Sequence, residues 1–198
     1  MTTQLITRSP RAHPVYLVDP STQNDVGVGD PMRVAGSATT VTSTATRATG
    51  TTQYAANENW SDSVSSPVSG GYTLTDAARA SGGSGVITDI IVVSGNDPAT
   101  LLQGELWIYD SAVTNDNDNA AFTSSDADTL KLVGVVPFTL ASTVPGSGTT
   151  SYAHIQNLGL GFTCVGTANL RYKVKTKNAY TPADSEVLTV RAKILRTD

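Results

Sequence analysis

The sequence has few of the residues from which catalytic and metal sites are built. It contains two histidines, His13 and His154, and one cysteine, Cys164. Neither histidine has an evident catalytic partner nearby, and the spacings of a zinc site, a P-loop or a dinucleotide-binding loop do not occur. A single cysteine excludes a disulfide within the chain, and its apolar neighbours favour a buried thiol over a reactive one. We therefore predict no enzyme, no catalytic residue, no metal and no cofactor.

Charge is also scarce. Charged residues make up 15% of the chain, whereas soluble domains average about 25%. The formal net charge of −4 gives no overall attraction to nucleic acid or to an anionic membrane. No apolar run approaches the roughly 18 residues of a membrane helix. We expect neither nucleic acid nor membrane as a partner, and the abundant small polar residues are typical of sheets that pack against other protein.

Residues 1–52 differ in composition from the rest of the chain. A short apolar run, Val15, Tyr16, Leu17 and Val18, lies between prolines, which favour extended backbone. Gly36 to Thr52 is almost entirely Thr, Ala, Ser and Gly, and this segment has too little apolar surface to offset its ordering entropy alone. The segment is either a disordered tail or an extended N-terminal arm that orders against a neighbour. The apolar run favours the arm and marks an interface.

From residue 53 to residue 198, short β-rich segments alternate with turns such as Ser81–Gly85 and Pro145–Gly148. No stretch has a convincing helical period. The predicted strands are Tyr72–Asp76, Val86–Val93, Leu102–Tyr109, Leu130–Thr139, Ile155–Leu160 with Phe162–Val165, Leu170–Lys177 and Glu186–Leu195. Such a series predicts an all-β domain, a β-sandwich or jelly roll.

The last two predicted strands alternate apolar and basic residues, which indicates one core face and one polar face on each. If they pair as a hairpin, their basic residues crowd one face of the sheet, namely Arg171, Lys173, Lys175, Lys177, Arg191 and Lys193. Like charges placed opposite each other are destabilising. The face is therefore either solvated or in contact with carboxylates. Those carboxylates could lie on the surface of a partner assembly or in the acidic Asp110–Asp128 region of a neighbouring subunit.

Two further features have open interpretations. Trp107 and Tyr109 alternate with apolar residues, so they share a face that could stack on a sugar or anchor a protein interface; the low charge favours the interface. The run Asn115–Asn119 alternates amide and carboxylate oxygens that could bind calcium. It lacks the glycine and the distal glutamate of an EF-hand loop, which favours a polar loop tip.

Several short motifs resemble those of the head decoration (cement) proteins of tailed bacteriophages. They are Tyr54–Glu58, the Gly-rich turn Ser81–Gly85 leading into Val86–Val93, Leu106–Asp110, and Tyr180–Ala183; Val15–Asp19 is similar to N-terminal segments of small phage structural proteins. The resemblance implies a jelly-roll-like structural protein of the virion, located on the capsid surface. Its partners would be the major capsid protein and itself, as a homotrimer, and it would stabilise contacts between capsid subunits.

A second function remains open at this point. The same β-rich sequence is compatible with a carbohydrate- or receptor-binding module of a phage tail or fibre. A glycan-cleaving enzyme would need two carboxylates facing each other across a groove. The three glutamates, Glu58, Glu105 and Glu186, all fall in or beside predicted strands.

Overall fold

The computed structural model describes residues 17–18, 25–26, 37–143 and 149–197. Its elements in chain order are β1 (Leu17–Val18), β2 (Asp25–Val26), β3 (Ser37–Thr46), β4 (Asn59–Trp60), β5 (Tyr72–Leu74), β6 (Ser84–Ser94), β7 (Gln103–Tyr109), α1 (Asp126–Thr129), β8 (Leu132–Thr139), β9 (Ala141–Ser142), β10 (Ser151–Ile155), β11 (Leu160–Thr163), β12 (Leu170–Thr176) and β13 (Val187–Arg196). Almost every element is a strand, which confirms the predicted all-β class. No helix within the described residues is long and apolar enough to cross a membrane.

The first two strands form a small antiparallel pair. Leu17 lies opposite Val26, and Val18 lies opposite Asp25. These strands belong to a unit that ends at Val34, separate from the unit that begins at Ala35. Val15 and Tyr16, the other two residues of the predicted N-terminal interface, lie outside the described residues. The ordering of this arm against a neighbour stays a prediction.

From residue 37 onward, the described strands form two antiparallel sheets. In sheet 1 the order is β3, β13 and β6; β10 and β11 then lie one after the other along the far edge of β6, and β9 pairs with β10. In sheet 2, β4 and β5 lie one after the other along β12, followed by β7 and β8. The two sheets pack face to face, which confirms the predicted β-sandwich.

The strand pairing is nested, so that strands from the start of the sandwich pair with strands from its end. The first strand of the sandwich, β3, pairs with the last strand, β13, and β4 and β5 pair with the next to last, β12. Further inward, β6 pairs with β10 and β11, and β7 pairs with β8. With β4 and β5 counted as one interrupted strand and β9 to β11 as another, the chain changes sheet at every connection except the one between β7 and β8. This is the topology of a jelly roll.

The sandwich begins earlier than the expected boundary at residue 53, and that boundary needs correction. Strand β3, expected to lie within the arm, pairs with β13 along its full ten residues. Its interior side chains are Val41 and Ala45, both buried, while threonines occupy most of the other positions. Threonine is a good strand former, so two small apolar residues suffice on an edge strand whose partner supplies the rest of the core.

The other predicted strands agree with the structure except near residues 155–160. The predicted strand Ile155–Leu160 is wrong: β10 ends at Ile155 and β11 begins at Leu160. Asn157 and Gly159 between them have φ angles of 57° and 60°, in the left-handed region that breaks a strand. The intervening turn lets two short strands share the long edge of β6.

The core lies between the sheets. The predicted alternation in the last two strands is confirmed, because their apolar residues point inward. Those residues are Leu170, Tyr172 and Val174 in β12 and Leu188, Val190, Ala192 and Ile194 in β13. Cys164 is buried with 1% of its surface exposed, as its apolar neighbours indicated.

Candidate interaction surfaces on the two outer faces

The six basic residues of the last two strands do not share a face. The expected hairpin of Leu170–Lys177 with Glu186–Leu195 is wrong, because β12 lies in sheet 2 beside β7 and β13 lies in sheet 1 between β3 and β6. The connection between β12 and β13 crosses from one sheet to the other, as the jelly-roll topology requires. The basic side chains of β12 and of β13 therefore belong to two different outer faces.

The outer face of sheet 2 lies under residues 110–125, the first part of the connection from β7 to β8. We call this outer face the covered face and residues 110–125 the covering segment. Backbone hydrogen bonds hold this segment against the start of β4. The Asn59 N–H donates to the Ala120 carbonyl at 2.8 Å, and the Phe122 N–H donates to the Asn57 carbonyl at 2.9 Å. The acidic segment thus lies over the basic strand of its own chain.

Lys173 lies at the centre of the covered face and is 1% exposed. Its Nζ is 2.7 Å from Asp116 Oδ2 and donates to the Thr123 carbonyl at 2.7 Å. The same Nζ lies 4.5 Å from the centre of the Phe122 ring. The carboxylates that sequence reasoning assigned to a neighbouring subunit or a capsid surface therefore include Asp116 of the same chain.

Lys175 and Lys177 share one carboxylate at the end of the covered face. Glu105 Oε1 lies 3.0 Å from Lys177 Nζ, and Glu105 Oε2 lies 3.8 Å from Lys175 Nζ. Trp107 Nε1 donates to Glu105 Oε2 at 3.1 Å. Burial by itself raises the pKa of Glu105, but the hydrogen bonds from Lys177 and Trp107 and the charge of Lys175 outweigh it, so this pKa lies below its usual value. Arg171, at the other end of the strand, is half-buried and donates to Thr73 Oγ1.

The two aromatic residues predicted as an exposed pair lie beneath this segment. The Trp107 ring is 5.0 Å from that of Phe122, centre to centre. Tyr109 is 0% exposed, and burial raises the pKa of its phenol to about 12. Their side chains, like that of Lys173, are occupied within the chain. The interface role expected for Trp107, Tyr109 and Lys173 stays a prediction.

The Asn115–Asn119 run directs its carboxylates toward protein cations. Asp116 binds Lys173, and Asp118 Oδ2 lies 2.8 Å from an Arg47 guanidinium nitrogen in an ion pair whose side chains are 2% and 0% exposed. Asp118 Oδ1 accepts hydrogen bonds from the Tyr54 hydroxyl and from the Ser61 N–H. Burial first, and then the Asp118 carboxylate, raise the pKa of Tyr54 far above its usual value. No group of three or more His, Cys, Asp or Glu suited to a metal occurs in the described part of the chain.

The outer face of sheet 1 has a different character, and we call it the open face. Arg191 and Lys193 of β13 are exposed on it. Neither side chain forms an ion pair within 4.0 Å with any of the described residues. On β10, Tyr152 is 43% exposed, and His154 Nε2 lies 3.9 Å from Asp89 Oδ1. This surface therefore presents cations and an aromatic side chain to the outside.

Sequence reasoning missed the part that β10 plays in the open face. The burial pattern of β10 alternates, with Ser151 and Ala153 inside and Tyr152 and His154 outside. That period of two was visible in the sequence. The sequence instead predicts a strand at Ile155–Leu160, which starts where β10 ends.

Comparisons with known proteins identify no family. No family model matches the chain, and no curated protein matches it. Among solved structures, the chain is similar to one titled "Desmodium yellow mottle tymovirus", with 14% identity and a TM-score of 0.28, covering 100% of this chain and 95% of that one. A second, titled "Structure of infectious bursal disease virus Gx strain", has 13% identity and a TM-score of 0.17, covering 98% of this chain and 50% of that one. Both similar chains come from virus structures.

Proposed function

We propose that this protein is a structural protein of the virion, without enzymatic activity, that binds the outer surface of a bacteriophage head as a decoration or cement protein. The observation that carries the proposal is the difference between its two outer faces. The covered face uses its cations within the chain. The open face presents Arg191 and Lys193 without an ion pair within 4.0 Å among the described residues, although Asp89 lies beside Lys193 in the sheet. A surface whose cations are unpaired in this way suits an acidic partner.

The composition of the open face supports a protein as that partner. Arginine and tyrosine are enriched in protein interfaces, and here Arg191 and Tyr152 lie on one sheet face. Val93 lies beside Tyr152 in the sheet, and Ile91 lies beside Arg191; both are partly buried. An exposed sheet face of apolar and threonine side chains with two cations can pack against another folded surface.

The same features argue against nucleic acid. Proteins that bind single strands combine a charged groove with several stacking aromatics, and the open face offers two cations and one tyrosine from a chain of net charge −4. The chain would act mechanically. By burying surface against two or more subunits of the major capsid protein, it would make their separation more costly.

The test is attachment of variants to particles from which this protein has been stripped. We expect Arg191→Glu/Lys193→Glu to attach at least about tenfold more weakly at low ionic strength. The difference should shrink as salt is added, because exposed charges are screened. The matched control is Arg79→Glu/Ser65→Glu/Ser66→Glu, which makes the same change in net charge at exposed residues in connections outside β13. Equal attachment by the two variants would contradict the proposal.

A carbohydrate- or receptor-binding role on a tail or fibre is the second candidate. A groove of about 520 Å³ opens between β8 and β10. Tyr152, His154 and Gln156 contribute an aromatic ring and polar groups to its lining, and Pro137 and Phe138 lie opposite. Tyr152→Ala separates the two functions: loss of glycan binding with head attachment unchanged would favour the second candidate.

A further inference from the structure

Strand β3 leaves one long edge of sheet 1 without a partner among the described strands. Its ten residues pair with β13 in continuous register, without the shift seen between β13 and β6 at Lys193. No residue of Ser37–Thr46 is charged, and none is glycine or proline. An edge of this length, rich in threonine and free of interruption, is a template for pairing with another strand.

The other described edges carry the features that prevent such pairing. The edge of sheet 2 formed by β4 and β5 consists of strands of two and three residues. Its opposite edge, β8, contains the exposed Pro137 and a register shift against β7 near Tyr109. The far edge of sheet 1 is formed by β11 and by the two-residue strand β9. Short strands, proline and bulges are the means by which proteins protect their edges, and β3 has none of them.

The backbone direction along β3 follows from a hydrogen bond just beyond its end. The Arg47 N–H donates to the Glu186 carbonyl at 3.0 Å, on the β13 side. In an antiparallel strand, the backbone groups of successive residues point alternately to the two sides. The N–H and C=O groups of Ala38, Thr40, Thr42 and Thr44 therefore face the unpaired edge. The side chains of these four residues are exposed on the open face.

We propose that this edge binds a second copy of the chain, with β3 pairing antiparallel to β3 of the partner subunit about a two-fold axis at Val41. In this register Ala38 lies opposite Thr44 of the partner subunit, and Thr40 lies opposite Thr42 of the partner subunit. Each of these residues directs both backbone groups to the edge, so each pair can exchange two hydrogen bonds. Sheet 1 then continues across both subunits.

The absence of charged residues in β3 favours a second copy of the chain as the partner strand. A two-fold axis places the strand against itself, so any charge near the axis would face a like charge. Because β3 has no charge, it is its own complement, and cross-strand threonine pairs are favourable. This isologous contact builds a dimer and does not by itself build the trimer that the family resemblance implies.

The experiment uses two charge variants at the outer positions of this register. Ala38→Lys/Thr44→Lys and Ala38→Glu/Thr44→Glu place like charges opposite each other in a homodimer, whereas their mixture places Lys opposite Glu. The β13 neighbours of these positions, Leu195 and Thr189, are uncharged, so the sheet within each subunit is little affected. The matched control, Thr139→Lys/Thr163→Lys, adds the same charge at exposed positions on the other edges.

Mass is measured by light scattering across a concentration series. We expect the unmodified chain and the control to reach twice the monomer mass of 20.6 kDa. Each charge variant should dimerise at least tenfold more weakly, and the mixture should recover the dimer. A monomer at every concentration, a trimer, or dimers insensitive to both variants would overturn the proposal.

If a variant fails to fold, hydrogen exchange of the unmodified chain replaces the mass measurement. The Thr40 and Thr42 amides must gain protection from exchange as the protein concentration rises. Unchanged exchange would overturn the proposal equally.

Discussion

The two outer faces of the sandwich begin from similar sequence patterns and have different surroundings. Both β12 and β13 alternate apolar residues with basic ones. Over β12, the segment of residues 110–125 supplies Asp116 to Lys173, with Glu105 of β7 beside Lys175 and Lys177. Over β13, no described segment covers Arg191 or Lys193, and the Asp89 carboxylate beside Lys193 in the sheet lies 3.9 Å from His154 Nε2 and forms no ion pair with either cation. A basic stripe on a strand therefore indicates a partner surface only where the connections of the same chain leave it uncovered.

Among the substitutions that test this comparison, the loss of Asp118 should lower the free energy of unfolding most. This residue ties the covering segment to Arg47, which follows β3, and both side chains of the pair are almost fully buried. Removal of one partner from a buried ion pair leaves an uncompensated charge and costs about 3–5 kcal/mol. We expect Asp118→Ala to lower the free energy of unfolding in urea by this amount. Asp126→Ala, at an exposed carboxylate of the same connection, should cost less than about 1 kcal/mol; equal costs would contradict the structural role of Asp118.

A pair of lysine substitutions compares the two faces directly. Lys173→Ala removes a buried cation that binds Asp116 and the Thr123 carbonyl, and it should cost about 2 kcal/mol because each acceptor loses a charge-assisted hydrogen bond. Lys193→Ala removes an exposed cation from the open face and should change stability by less than about 0.5 kcal/mol. Chemical denaturation of the two variants measures both values. A reversed order would mean that the assignment of covered and open faces is wrong.

A low pH should also reduce the free energy of unfolding, through Glu105 of the covered face, and by less than the loss of Asp118 or of Lys173. The folded-state pKa of Glu105 lies below its ordinary value of 4.5. Its contribution to stability is therefore present above that value and is lost as pH falls below it toward the folded pKa. We expect the unmodified chain to lose stability in this range and Glu105→Gln to lose less. Urea titrations at pH 7 and at successively lower pH values measure the difference, and parallel losses in the two proteins would contradict it.

The parts of the fold that follow from local sequence could be predicted. The period of two in Leu170–Thr176 and Val187–Arg196 identified both strands and the residues that face the core. It could not show which strands are neighbours, because pairing depends on contacts between distant residues. The proximity of β12 and β13 in the sequence suggested a hairpin, whereas the jelly roll places them in opposite sheets.

The covered face and the first strand show two further limits. Nothing local to Asp116 indicates that the segment folds back over Lys173 of its own chain, 57 residues away. The low apolar content of Ser37–Thr46 predicts part of the arm, but an edge strand needs only the few buried contacts that Val41 and Ala45 provide. Apolar content alone therefore underestimates strands that are anchored by pairing with a hydrophobic neighbour.

Electron microscopy of particles that carry this protein tests the central claim most directly, because it shows both the location of the chain and the face turned toward its partner. We expect density for the sandwich on the outside of the head, with the open face of sheet 1, including Arg191 and Lys193, against the shell and the covered face turned to solvent. Density at the tail tip, or a sandwich bound through its covered face, would contradict the account.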